Sequence, residues 1–139
     1  MTSGRSVVLA VQRAAHLSVQ RLQTDLVDLD LGPSEINVLA NLSDGVGRTV
    51  SQLGAAAGTK PTTLTSVLDR LERRGLLTRL ARAEDRRSVL VELTPAGVES
   101  AAEVMRAVAR LDRRLLAGVP RTTADAVRTT LDSLGRDPR

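Results

Sequence analysis

Between Pro61 and Gly75 the apolar residues Leu64, Val67, Leu68 and Leu71 fall at i, i+3, i+4 and i+7, a spacing that predicts a helix with one apolar side. At roughly 100° per residue, Thr62, Thr65, Ser66, Asp69, Arg70 and Arg73 gather on the other side. Short hydroxyls near its start and guanidinium groups toward its end suit an element that lies against base edges and phosphates. Taken alone, the same pattern also describes an ordinary surface helix.

The flanks narrow the choice. Upstream, Thr49-Val-Ser-Gln52 fits a capping box and starts a short helix near Val50, with Leu53, Ala56 and Ala57 as a small buried face. Gly58, Thr59 and Lys60 then turn into the next helix, with Pro61 in its first turn, which makes a helix-turn-helix. Downstream, Gly75 ends the second helix. Two β-type runs follow, Leu76 to Ala81 and Ser88 to Leu93, separated by the charged stretch 82–87. Alternation of Val89, Val91 and Leu93 with Ser88, Leu90 and Glu92 predicts a hairpin with one face on a core, that is, a wing with a basic tip.

Elsewhere the chain reads as helix. From Arg5 to Leu29, Val8, Val11, Ala15, Leu22, Leu26 and Leu29 recur at near-heptad spacing without Pro or Gly, which predicts one long helix. Leu31-Gly-Pro-Ser-Glu-Ile opens another, with Gly32 or Ser34 near the cap and Glu35 favourable to the helix dipole. Its buried side is Ile36, Val38, Leu39 and Leu42; Gly45 and Gly47 then break it, and Arg48 to Val50 suit a short strand. Thr94-Pro95 starts a helix through Val98, Ala101, Ala102, Met105, Val108, Leu111 and Leu115 to Gly118, and a last helix begins near Thr123 with Ala124, Val127, Leu131 and Leu134. These terminal helices carry more regular apolar positions than one small winged domain needs, and a homodimer would bury the surplus.

Three motifs stand in fixed order: Asp69-Arg-Leu-Glu-Arg-Arg-Gly-Leu76, Glu84-Asp-Arg-Arg87 and Leu93-Thr-Pro-Ala-Gly97. In order and spacing they resemble the MarR-type winged-helix transcriptional regulators, and the resemblance covers almost the whole chain. It implies a mainly α fold with a small β-hairpin wing, a winged helix-turn-helix flanked by N- and C-terminal dimerisation helices. The parts would be 1–31 for the N-terminal dimerisation helix, 32–94 for the DNA-binding region and 95–139 for the C-terminal dimerisation helices. It also implies that Thr62 to Arg73 read the major groove, that the wing sends Arg87 into the minor groove with Asp85 as its support, and that a pseudo-palindromic operator in duplex DNA is the target. Similar regulators commonly release DNA when a small, often phenolic, ligand binds between the dimer helices and the winged domain. At Lys60-Pro61 the chain departs from the family, which usually places Ser, Thr or Asp as the cap of the recognition helix. The expected DNA-binding set is Lys60, Thr62, Thr63, Thr65, Ser66, Arg70, Arg73, Arg86 and Arg87.

Charge supports a polyanion partner. The formal net charge is +4, and the stretch from Thr59 to Leu90 holds eight basic residues against four acidic ones, so the excess sits on the proposed recognition helix and wing. Aromatic residues are absent, which disfavours single-strand or RNA modules that stack bases and leaves duplex DNA as the better polyanion.

Chemistry is sparsely provided for. Without Cys the chain has no disulfide, thiolate metal site or thiol nucleophile. His16 is the single histidine; it lacks companions for a metal site and is at most a ligand-pocket candidate. Paired carboxylates such as Asp69 with Glu72 stand among Arg residues that would keep them ionised, so neither catalysis nor a cofactor is expected. No run of 18 or more apolar residues and no signal-peptide pattern occurs, and a cytoplasmic, non-membrane protein is expected. Two other readings stay open: a winged-helix module for an acidic protein partner, and a DNA-binding protein without an effector.

Overall fold

A computed structural model describes residues 5–82 and 85–136; the side chains of 82–87 lie outside the described part. The elements run α1 (Val7–Asp25), a 3-10 turn (Val27–Leu29), α2 (Pro33–Asn41), β1 (Arg48–Thr49), α3 (Val50–Ala57), α4 (Pro61–Arg73), β2 (Leu77–Arg82), β3 (Asp85–Leu93), α5 (Pro95–Leu115) and α6 (Arg121–Leu134). The three strands form one antiparallel sheet in the order β1-β3-β2, with Arg48 opposite Val91 and Arg79 opposite the same residue on the other side. This is the mainly helical, winged arrangement that the motifs imply.

Periodicity predicts the core of α4 correctly: Leu64, Val67, Leu68 and Leu71 are all buried. They join Ile36, Val38, Leu39 and Leu42 of the α2 segment, Leu53 of α3, Leu77 and Val91 of the sheet, and Ala101, Val104 and Ala107 of α5 in one hydrophobic cluster. Burial of such side chains contributes about 1.5–3 kcal/mol each, so this cluster is what sets the angle of α4 against the sheet.

Three expectations need correction. The N-terminal helix ends at Asp25 rather than Leu29; a 3-10 turn and a left-handed Asp30 (φ 49°) follow. The tighter turn changes the helical phase, so that Leu26 and Leu31 are both buried and Leu29 packs at the edge of the cluster. In α3, Ala56 is exposed, while Leu53 is buried in the core and the Gly54 side faces α4; a Cβ on Gly54 would stand 3.3 Å from Leu64. The strands extend beyond 76–81 and 88–93: β3 begins at Asp85, so the backbone of Arg86 and Arg87 belongs to the ladder, with a register irregularity between Ala81 and Arg82. Backbone pairing carries the ladder through this charged stretch despite its low apolar content.

The sheet is joined to α5 by a compact knot. The Thr94 amide donates to the Leu76 carbonyl at 3.1 Å, its hydroxyl donates to the Gly75 carbonyl at 2.6 Å, and that hydroxyl accepts from the Gly97 amide at 3.1 Å as the helix cap. Gly97 is buried, and a Cβ there would fall well inside contact distance of the Leu76 carbonyl. Glycine is the residue that lets α5 start this close to β2.

α6 is different. None of its residues is buried in the single chain, and Val127, Leu131 and Leu134 stand exposed on it, as do Val7, Val8, Leu9, Val11 and Leu17 on α1 and Leu115 and Leu116 at the end of α5.

Candidate nucleic-acid interface

The helix-turn-helix is built by local chemistry. Thr49 Oγ1 accepts from the Gln52 amide at 3.1 Å and Gln52 Oε1 accepts from the Thr49 amide at 3.0 Å, so the capping box that starts α3 is closed. Gly58 ends it in the left-handed region at φ 63°, a backbone shape that L side chains rarely adopt. Asn37 of α2 donates to the Ala57 carbonyl at 2.8 Å and is itself buttressed by Asn41, which ties the end of α3 to the core helix. Lys60 occupies the cap position of α4 with no side-chain cap bond, so α4 starts at Pro61 through proline's fixed φ rather than through a capping hydroxyl.

Along α4, Thr62, Thr63, Thr65, Ser66, Arg70 and Arg73 are all exposed, and so is Lys60 just before it. The packing of the inward leucines forces this outward set to share one side. Three of its members already have partners within the chain. Thr65 Oγ1 donates to the Pro61 carbonyl at 3.0 Å and keeps its lone pairs for an incoming donor, while Arg70 Nη1 donates to Ser66 Oγ at 3.1 Å.

At the far end of α4 lies an ion-pair system that sequence reasoning missed. Glu35 is buried, with Arg74 Nη1 3.3 Å from its Oε2 and Arg70 Nε 3.6 Å from its Oε1. Arg74 also donates to the carbonyls of Asp30 at 2.8 Å and Leu29 at 2.6 Å, clamping the C-terminal end of α4 to the turn that follows α1. These groups, with Gly32 and Arg73, line a cleft of about 510 Å³. In sequence, Glu35 looks like a first-turn carboxylate serving its own helix; the Arg74 partner is 39 residues away, and no local pattern announces it.

A second system joins α4 to the wing. Arg79 of β2 reaches Asp69 at 2.6 Å and Glu72 at 2.9 Å, and its amide donates to Glu72 as well. The guanidinium hydrogen bond, above all, holds the Glu72 carboxyl below its usual 4.5, and the same bond raises the Arg79 pKa. Glu72 is thereby favoured as an ionised partner of Arg79.

Asp85, Arg86 and Arg87 fall where side chains are outside the described residues, although their backbone forms the start of β3. His16 is exposed on α1. Among the described residues no cluster of three or more His, Asp or Glu gathers to hold a metal ion, and no helix is long and apolar enough to cross a membrane.

The model of the MarR family matches residues 31–89, which span α2, the helix-turn-helix and the hairpin. Over this stretch the chain is similar to the MarR family. It is 30% identical over 102 residues, 73% of its length, to a protein assigned as the transcriptional regulatory protein for the hcr operon of Thauera aromatica. It is 27% identical over 101 residues, 70% of its length, to the HTH-type transcriptional repressor MdtR of Bacillus subtilis. The chain spans 59% and 65% of the length of these two relatives. Among solved structures, the transcriptional repressor CouR bound to a 23-mer DNA duplex superimposes with a TM-score of 0.81 at 27% identity, covering 94% of this chain and 93% of that one.

Proposed function

We propose that this chain is a sequence-specific, duplex-DNA-binding transcriptional repressor that acts as a homodimer. The observation that carries the reading is the outward side of α4: hydroxyls and guanidinium groups exposed together, on a helix whose opposite side is wholly buried, in a chain whose fold matches a DNA-bound repressor. Thr62, Thr63 and Thr65 face base edges, Lys60 and Arg73 face phosphates, and the wing residues Arg86 and Arg87 supply backbone and minor-groove contacts with Asp85 as support.

The dimer rests on α6 and the outer side of α1, where a run of apolar residues has no cover within one chain. Residues 1–31 and 95–139 make the dimer and 32–94 the DNA-binding region, all sharing one core. A repressor of this kind works on chromosomal DNA, in the cytoplasm.

Selection of bound sites from random duplexes tests the reading. The expected result is a pseudo-palindrome whose half-sites lie about one helical turn apart. Binding that shows no preferred sequence, with a shallow dependence on salt, favours instead a basic face for an acidic protein partner.

A further inference from the structure

Among the described residues Glu35 is the one charged side chain that is buried. A carboxylate there gives up hydration, a loss that has to be offset by paired charges and hydrogen bonds. Its local duty is small: Oε1 accepts from the Gly32 amide at 3.4 Å, which an uncharged Gln does equally well in this position. The charge therefore serves the two guanidinium groups. Arg74 is already used up as a clamp on the Leu29 and Asp30 carbonyls. Arg70 is not. Its side chain remains 45% exposed, with Nε turned to Glu35 and Nη1 donating to Ser66 Oγ.

Those two supports orient a planar fork. With Nε and Nη1 engaged from within the chain, Nη2 and the outer edge of the guanidinium are left for a partner on the groove side of α4. We propose that Glu35 is a positioning residue for operator discrimination: through the carboxylate on one side and Ser66 on the other, Arg70 is held to meet a base edge rather than roam to a phosphate. This rests on the DNA-binding reading above and makes it more specific, since Ser66 becomes a support of Arg70 and not an independent base contact.

The physics gives the effect a distinctive sign. Recognition of a guanine edge needs the fork in one plane and at one height. An untethered arginine is a mobile charge, which finds phosphates of any sequence and adds to salt-dependent, non-specific binding. Loss of the Glu35 charge should thus trade discrimination for non-specific affinity, whereas damage to the fold lowers both.

The test is binding of the parent and Glu35→Gln to the selected operator and to a scrambled duplex of equal length, at several salt concentrations. Expected is a fall of about tenfold in the operator-to-scrambled ratio, the low end of what a lost bidentate contact costs. Scrambled binding should be unchanged or tighter, with a log K against log salt slope steeper by about one. In an Arg70→Ala background the Glu35 substitution should leave the ratio untouched. Arg70→Lys, which keeps the charge and loses the fork, should reproduce the lowered ratio; with Ser66→Ala it decides the matter should Glu35→Gln fail to fold by thermal melting. Parallel losses on both duplexes, an equal Glu35 effect without Arg70, or a parental ratio in Arg70→Lys overturns the proposal. If the parent selects an operator and Glu35→Gln keeps the full ratio, this assignment alone falls; a parent with no preferred duplex overturns the DNA-binding reading and this one with it.

Discussion

Arg79 on the second strand stands 2.6 Å from Asp69 on α4, and the same guanidinium reaches Glu72 one turn later. One side chain thus couples the two elements that the proposed function sends into adjacent grooves. Because Glu72 is held below its usual 4.5, its contribution to stability is present above that value and is lost as pH falls through the folded-state pKa. Arg79→Met should therefore lower the thermal midpoint at neutral pH, and the gap to the parent should narrow as pH falls below that value. Melting curves across that range check it; a gap that stays constant with pH shows that the carboxylates are not what Arg79 serves.

Asp44 behaves in the same sense at the other end of the sheet. Arg48 pairs with it through two bonds, at 3.0 and 2.8 Å, and with the Val46 amide also donating, its pKa is lowered to about 2. Titration followed by NMR should find the Asp44 carboxyl still ionised at pH 3, and Arg48→Met should return it toward 3.8. An unshifted carboxyl in the parent would refute the pairing.

Gly97→Ala should be among the most damaging small substitutions in the chain. The added methyl meets the Leu76 carbonyl, so the first turn of α5 has to separate from the start of β2 and the Thr94 bonds lengthen. Overpacking of this kind costs about 1–3 kcal/mol, which urea denaturation will register as a lower midpoint with little change in slope.

Leu131→Asp together with Leu134→Asp should convert the proposed homodimer to monomer, because both residues lie on the uncovered face of α6. Sedimentation gives the readout. The monomer's own core should persist, since no α6 residue is buried in it; a double variant that sediments as the parental dimer would move the interface elsewhere.

Thr65→Ala and Arg87→Ala should fail in different ways. Loss of the Thr65 hydroxyl removes one acceptor on the groove side and should relax base preference at a single operator position, by about 1–3 kcal/mol if a direct contact is lost. Loss of Arg87 should weaken binding to every operator and lower the magnitude of the salt slope by about one. Site selection and salt titration separate the two effects, and identical logos for parent and Thr65→Ala would show that the groove-facing side of α4 is placed wrongly.

Local chemistry determined much of this molecule in advance. The inward residues of α4, the Thr49–Gln52 capping box, the glycine turns at Gly58 and Gly75 and the Thr94 cap all depend on neighbours within one or two turns, so spacing along the chain suffices to place them. The motif order did the same for the resemblance to a family. Tertiary structure decided the rest, because the groups concerned meet across long stretches of chain. Nothing near Glu35 tells that its carboxylate is buried beneath Arg70 and Arg74, nothing near Arg79 tells that it spans to Asp69 and Glu72, and the early end of α1 follows from where Leu26 and Leu31 find the core. An arginine on an amphipathic helix has the same local signature whether it waits for a phosphate or is held by a buried acid. Only the packing of α2 against α4 distinguishes them, by fixing which guanidinium groups are already partnered.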